Sequence, residues 1–402
     1  MKIYLNFWKE MIVEALTGSK VYFLWLGFLT ILFLLGVFAY YQQLKFGLEV
    51  TNLSQIVSWG AYIANFTFLV GVAAAAVLMV VPAYVFKIPE VKEIVIIAEI
   101  MAFVALILCL MFIVVDLGDP LKSWHLIPYI GKLNFPQSVL AWDVIILNGY
   151  LLLNAHVPGY VLYQMYLGNE PKKKYYYPFV FLSIFWAISI HTVTAFLYSG
   201  LGGKPFWNSA ILAPRFLISA FSAGPALLIL VFYTINKVRY HFKVKVKVFK
   251  ILKSIAAIAF PINLFLVFCE VFKEFYTDSA HVASARYLFT GLHGHNILVP
   301  YIWFAIIAQI FVITVFWVPK LRDNSKFLLP ACVVGFIGIW IEKGMGLIIP
   351  GFLPSPHGII VDYTPSITEI FVCLGIWSFG ALLFTMMAKV AIEILNGKLR
   401  VK

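Results

Sequence analysis

The chain has 402 residues, 62% of them hydrophobic and 12% charged, with a formal net charge of +12. A soluble domain carries roughly 25% charged residues, so a water-soluble globule is excluded. Ten helices of about 20–25 residues leave no length for a separate soluble domain. Nor does the positive charge mark a nucleic-acid binder, because the basic residues stand in loops between apolar runs, where they act as topology signals.

The first 18 residues mix Lys2, Lys9 and Glu10 with Ile3, Leu5, Phe7, Trp8 and Ile12, the composition of a short amphipathic helix lying on the membrane surface. No small-residue cleavage site follows the first apolar run, so no signal peptide is expected. Ten membrane helices are then predicted, at 20–42, 55–86, 92–117, 138–167, 176–200, 209–236, 251–275, 295–318, 327–350 and 364–394. Gly71 and Ala75 in helix 2 have the small-residue spacing that lets membrane helices approach closely. Pro158, Pro225 and Pro261 fall inside helices 4, 6 and 7, where each removes a backbone donor. Cys109, Cys269, Cys332 and Cys373 lie in apolar segments without metal-ligand spacing, so no metal, iron–sulfur or zinc site is expected in this chain.

With the N-terminus inside, 22 of the 30 Lys and Arg fall on the inner face, six in outer loops, and Arg215 and Lys343 within helices. This is a positive-inside signal for a multi-pass protein of the cytoplasmic membrane with both termini inside. The longer loops, 118–137, 276–294 and 351–363, then form an outer docking platform. Asn65 and Ser219, like Asp116 and Glu270, are 154 apart, and His191 and Glu342 are 151 apart. These offsets suggest an all-α fold of two four-helix bundles, helices 2–5 and 6–9, flanked by helices 1 and 10. The expected units are a surface helix at 1–18, the first membrane helix with its loop at 19–54, bundles at 55–200 and 201–350, and the last helix with a basic tail at 351–402.

Charges inside a bilayer are costly and mark function. Counted from the outer ends of their helices, Asp116, Asp143, His191, Arg215, Glu270, Glu342 and Glu369 all lie within roughly 13 Å of the outer surface. Such one-sided polarity suits quinone chemistry. A quinone head needs hydrogen bonds at two carbonyl oxygens and a proton donor or acceptor, and its tail needs an apolar slot. Histidine and a desolvated carboxylate can supply the proton chemistry. Asp116 also fits a helix-terminal turn, His191 an interhelical hydrogen bond, and Arg215 with Glu342 a structural ion pair. Asp143, Tyr150 and Asn154 form one stripe along helix 4. With Glu99 on helix 3, the stripe reads as part of a proton path from the inner face or as a polar packing seam. A bis-histidine haem is disfavoured, because His191 and His156 differ in depth by roughly 15 Å. His125, His281, His293, His295 and His357 stand at helix ends or in loops. Two rivals stand beside the quinone reading. One is a secondary transporter, whose sites lie nearer the midplane. The other is a structural anchor without quinone chemistry.

Several segments together resemble the family of polysulfide reductase membrane subunits (PsrC), also called the NrfD-like family. They are Trp59-Gly60-Ala61-Tyr62-Ile63-Ala64-Asn65-Phe66 followed by Gly71; Asp116-Leu117-Gly118-Asp119-Pro120 followed by Trp124 and His125; and Ser138 to Asp143. His191 to Thr194 follow, then Pro205, Trp207, Ala213-Pro214-Arg215-Phe216, Glu270, Ile341-Glu342-Lys343, and Tyr363-Thr364-Pro365 ahead of Glu369. The resemblance runs in order over nearly the whole chain. It departs at Asp119, where the family more usually has Arg, and at Ala74–Ala76, where it often has glycines. It implies a membrane subunit that exchanges electrons between menaquinone, bound as substrate, and an iron–sulfur partner on the outer face, with no haem or cluster in this chain. By motif it implies a quinone pocket near Tyr62, Asn65, Asp116, Asp143 and His191. A matching polar centre of Arg215, Glu270, Glu342 and Glu369 is expected in the second bundle. Within the family, the ten-helix length is most similar to subunit P of the DsrMKJOP (Hme) complex of sulfate reducers. That similarity implies a ferredoxin-like iron–sulfur subunit on the outer face, a multihaem cytochrome c, a haem b membrane subunit and an inner-face iron–sulfur subunit as partners.

Overall fold

In lipid every backbone N–H and C=O must be satisfied within the chain, which leaves helices as the way to use these apolar runs. A computed structural model describes residues 2–127, 129–239, 241–277, 281–355 and 358–401. Among the described residues there is no β-strand. Among the described residues, ten helices are long and apolar enough to cross a membrane: Lys20–Val50, Ala61–Val85, Val95–Asp116, Val139–Tyr166, Tyr177–Ser199, Leu212–Val238, Val246–Thr277, Val299–Trp317, Ser325–Phe352 and Ile367–Leu395. They are helices 1 to 10 below. The chain is an integral membrane protein of about ten apolar helices.

The ends of these helices have local causes. Ser19, Ser138 and Asn324 cap helices 1, 4 and 9 through their side chains, and Ser366 forms a capping box with Glu369 at the start of helix 10. Helix 2 begins at Ala61 rather than near 55, because the Tyr363 hydroxyl accepts from the Ala61 N–H at 2.8 Å. Its far end widens into a π turn over Val81–Val85, with Pro82 at its start. Helix 7 begins at Val246, earlier than its charge pattern suggests. Lys247 and Lys253 in its first turns are paired with Glu90 and Asp323, at 3.1 and 3.0 Å. Helix 9 breaks at Gly344 and resumes with a short turn over Met345–Ile348, directly after Glu342 and Lys343.

Helix 2 is the centre of the molecule, with 89% of its apolar window buried, whereas only 17% of the window of helix 1 is. Helix 2 packs on helices 3 and 5, helix 3 on helix 4, and helix 4 on helix 5. Helix 6 packs on helices 7 and 9, and helix 8 on the same two. Helices 2 and 5 both also touch helix 6, and helix 10 lies against helices 1 and 3. The loops joining helices 1–2, 3–4, 5–6, 7–8 and 9–10 share the loop face. The opposite, basic face carries the short connections and the N-terminal helix Lys2–Ala15. That helix seats Phe7 against Tyr163 and Tyr166, both at 5.0 Å, and leaves Ile3, Leu5, Trp8 and Ile12 exposed.

Helix 1 is held to helix 10 through glycines. A Cβ added at Gly375 would come 2.6 Å from the Gly36 Cα, closer than real contacts allow. A Gly375→Val variant is therefore expected to lower stability by about 1–3 kcal/mol through overpacking. An unfolding titration in detergent, followed by tryptophan fluorescence, checks this.

Candidate functional site

The titratable side chains of the membrane helices divide into two groups of opposite character. Among the described residues, five buried side-chain polar atoms lack a hydrogen-bond partner: Glu99 Oε2, Asp116 Oδ1, Asp143 Oδ2, His191 Nε2 and Asn263 Oδ1. Four of these belong to helices 3, 4 and 5. Buried polar groups are as a rule paired, so each exception calls for a reason.

Asp116 closes helix 3 at the loop face. Beside it the Tyr62 hydroxyl donates to Gln43 Oε1 at 2.7 Å, and Gln43 Nε2 donates to the Val115 carbonyl at 2.6 Å. A cavity of about 320 Å3 lies between the loop-face ends of helices 1 and 3, lined by Tyr40, Gln43, Leu48, Leu117, Gly118 and Asp119 among others. Its size falls at the lower end of the range of small-molecule sites, about 300–1,000 Å3. Asp116 adjoins the lining residue Leu117, and Tyr62 reaches the lining through Gln43. Gln43 carries no charge and sits in an otherwise apolar, lipid-facing helix, so the depth of charges could not single it out.

Asp143 and His191 form a deeper pair of elements. Asp143 Oδ1 accepts from Thr194 Oγ1 at 2.8 Å, across helices 4 and 5. His191 lies one turn from Thr194 and is 1% exposed. Its Nδ1 donates to the Ala187 carbonyl of its own helix at 3.2 Å, which leaves Nε2 as the acceptor nitrogen. No hydrogen bond among the described residues joins His191 to Asp116, Asp143, Tyr62 or Asn65. Tyr198, hydrogen-bonded to Thr67, is fully buried within electrostatic range of both Asp143 and Asp116. A neutral tyrosine near a helix end does not stand out in the sequence.

Asn65 spends its polar atoms on the protein itself. Its Oδ1 accepts from Trp340 Nε1 at 3.0 Å and Trp377 Nε1 at 2.9 Å. Its Nδ2 donates to the Ala61 carbonyl at 2.8 Å and lies 3.5 Å from Cys373 Sγ. These bonds tie helices 2, 9 and 10 together.

Towards the basic face, Glu99 lies on helix 3 about 26 Å from Asp116 at 1.5 Å per residue. It is 3% exposed. Tyr150 on helix 4 lies within electrostatic range of Glu99, and Asn154 donates to the Tyr150 carbonyl at 2.9 Å. Asp143, Tyr150 and Asn154 are all buried on the one stripe.

The second group is closed upon itself. Arg215 donates to Glu342 Oε1 through Nε at 3.2 Å and Nη2 at 2.8 Å, and through Nη1 to Glu270. Glu342 Oε2 accepts from Asn263 at 2.8 Å and Gln309 at 2.9 Å. Helices 6, 7, 8 and 9 thus meet at one carboxylate. Lys343, 4% exposed, turns away from this cluster. It donates to the Phe216 carbonyl at 3.1 Å and lies 4.2 Å from the Phe216 ring.

Glu369 does not belong to this centre, contrary to expectation. It accepts from the backbone N–H groups of Asn52 and Ser366, each at 2.9 Å, and from the Tyr363 hydroxyl. It therefore pins the loops before helices 2 and 10. Burial, and then the Glu369 carboxylate, hold the Tyr363 phenol above the ordinary tyrosine range. Of the histidines outside the core, His156 is exposed and contacts the Tyr175 carbonyl at 3.1 Å, His295 pairs with Asp362 at 2.7 Å, and His357 lies outside the described residues. Among the described residues no three His, Cys, Asp or Glu side chains come together as a metal site.

This chain is similar to the Hdr-like menaquinol oxidoreductase integral membrane subunit of Archaeoglobus fulgidus, 26% identical over 88% of this chain and 89% of the relative. It is 23% identical to a selenate reductase subunit of Mesobacillus selenatarsenatis, over 92% of this chain and 93% of that one. It is 22% identical to the menaquinone reductase integral membrane subunit of Nitratidesulfovibrio vulgaris, over 93% and 92%. The sequence profile of the family described as Polysulphide reductase, NrfD matches residues 49–353, a stretch that holds Asp116, Asp143, His191, Arg215 and Glu342 alike. The chain belongs to the NrfD family of polysulphide reductase membrane proteins.

Proposed function

We propose that the chain is the quinone-reactive membrane subunit of a multi-subunit oxidoreductase. It takes menaquinol or menaquinone at the loop-face cavity and exchanges electrons with an iron–sulfur partner seated on that face. One observation carries the reading: the unpartnered carboxyl and imidazole atoms of Asp116, Asp143, His191 and Glu99 stand in one half of the molecule, while in the other half Arg215, Glu270 and Glu342 satisfy one another. The names of the relatives, with menaquinol or menaquinone in two of them, support the same substrate class.

Oxidation of a quinol releases two electrons and two protons, and reduction takes up both. Asp116, beside the cavity, is the first proton acceptor. The second N–H of Gln43 and the Tyr62–Gln43 pair orient the head. Asp143 and His191 receive protons behind it, with Tyr198 between. The cavity borders the exposed apolar loop of Leu121, Trp124, Ile127 and Phe135, an electron-transfer partner's natural seat directly above the quinone. A respiratory complex of sulfur or sulfate metabolism fits this arrangement, with a ferredoxin-like subunit outside, further haem and iron–sulfur chains, and both termini of this chain in the cytoplasm.

The test fills the cavity. Gly118 lines it, and a Cβ there meets nothing closer than 3.7 Å, so Gly118→Trp is expected to fold. The variant should lose copurifying menaquinone and quinol-dependent reduction of the partner chains. Full quinone occupancy with normal turnover would overturn the site. The helix 4 stripe is read as a proton path between Asp143 and Glu99. Glu99→Gln is expected to slow charge movement in proteoliposomes by about 10²-fold, and unaltered charge movement would remove the path.

A further inference from the structure

The basic face holds a second and larger cavity, of about 560 Å3, which the quinone chemistry does not use. It lies where helices 2, 4 and 10 end and helices 3 and 5 begin, at the depth of the headgroup layer. Its charge is lopsided. Lys92, Lys173 and Lys243 line it, and none of these ammonium groups pairs with a carboxylate among the described residues. Of the two carboxylates in the lining, Glu93 is held by Lys245 at 2.8 Å, which leaves Glu170 alone against three cations. The starts of helices 3 and 5 border the space, and neither has a side-chain cap, so both offer free amide donors and a positive dipole end. Ile96, Val161 and Met165 make one wall apolar. A polar cationic rim over an apolar wall matches an amphiphile, and a site of this size exceeds what a bare inorganic anion fills.

We propose that this cavity binds the phosphate headgroup of an anionic phospholipid from the adjoining leaflet. The lysines contact the phosphate, and the first acyl carbons lie along Ile96, Val161 and Met165. The headgroup stands over Tyr84 and Tyr176, both within electrostatic range of Glu99, so the layer above that carboxyl stays polar. Basic pockets between membrane helices hold such lipids by about 1 kcal/mol per lysine, or roughly fivefold in affinity each.

The protein is extracted with its accompanying chains, washed free of loose lipid, and offered vesicle-derived phosphatidylglycerol or phosphatidylcholine. Retained lipid is counted by native mass spectrometry. Phosphatidylglycerol is expected to be retained selectively. Its affinity should fall on the order of a hundredfold in a Lys92→Gln, Lys173→Gln, Lys243→Gln variant and survive when the same lysines become Arg. If the triple variant does not assemble, Lys243→Gln alone should bind about fivefold more weakly. Equal retention of phosphatidylcholine, or lipid binding unchanged in the Gln variants, overturns the proposal. So does displacement of the lipid by millimolar inorganic phosphate, which would assign the site to the free anion. None of these outcomes depends on quinone turnover, so the quinone reading stands or falls separately.

Discussion

Replacement of Asp116 by Asn is expected to lower quinol-dependent reduction of the partner chains by about 10²–10⁴-fold, the usual worth of a positioned acid or base. Asn matches Asp in shape and still offers hydrogen bonds, but it cannot take up a proton. The variant therefore separates proton transfer from binding. Asp116 stands beside the cavity with its Oδ1 buried and unpartnered and its neighbour Leu117 in the lining, whereas the lining carboxylate Asp119 is paired with Lys122 at 3.2 Å. Copurifying menaquinone should remain, since Gln43 and Tyr62 are unchanged. Tyr62→Phe removes one neutral hydrogen bond to Gln43 and should cost about fivefold, or roughly 1 kcal/mol. Steady-state rates with a soluble menaquinol analogue check both. A normal rate in Asp116→Asn would move the first proton acceptor to Asp143 or His191.

The membrane helices were legible because lipid imposes a single rule on the backbone, and a run such as Val95 to Asp116 has one way to obey it. The ends were less legible. Lys247 and Lys253 look like loop residues until Glu90 and Asp323 are seen beside them. The charged members of the site were legible for a related reason: a carboxylate or histidine inside a bilayer announces itself by its cost. Partnership was not legible. Asn65 and Asp143 have similar depth and similar polarity in the sequence. Yet two tryptophan N–H groups from helices 9 and 10 use up the Asn65 oxygen, while one Asp143 oxygen stays empty. Which case holds depends on helices some 300 residues away. Likewise Glu369 shares a depth with Glu270, but its carboxylate faces Asn52 and Tyr363 because the chain returns beside helix 1. Gln43 and Tyr198 escaped because a neutral amide and a phenol cost too little in lipid to stand out.

Arg215→Ala is expected to cost about 3–5 kcal/mol of stability, because it strands two carboxylates in the membrane interior. Arg215 holds Glu342 through two of its nitrogens and Glu270 through the third, and Glu342 is 1% exposed. Asn263 and Gln309 would remain on the other Glu342 oxygen, too little to balance a full charge. Arg215→Lys supplies one ammonium where a three-pronged fork was used, so it should recover part of the loss. Lys343→Met should behave oppositely. Lys343 has a single carbonyl and the face of Phe216 as partners, and an isosteric apolar chain in its place should leave stability equal or raise it. Thermal unfolding in detergent, followed by tryptophan fluorescence, measures all three. Activity then distinguishes the roles. If Arg215→Lys folds stably and turns over normally, the cluster is the fastening of helices 6 to 9. If it folds stably but loses charge movement while Lys343→Met does the same, the closed network opens during turnover, and protons pass through both halves of the molecule.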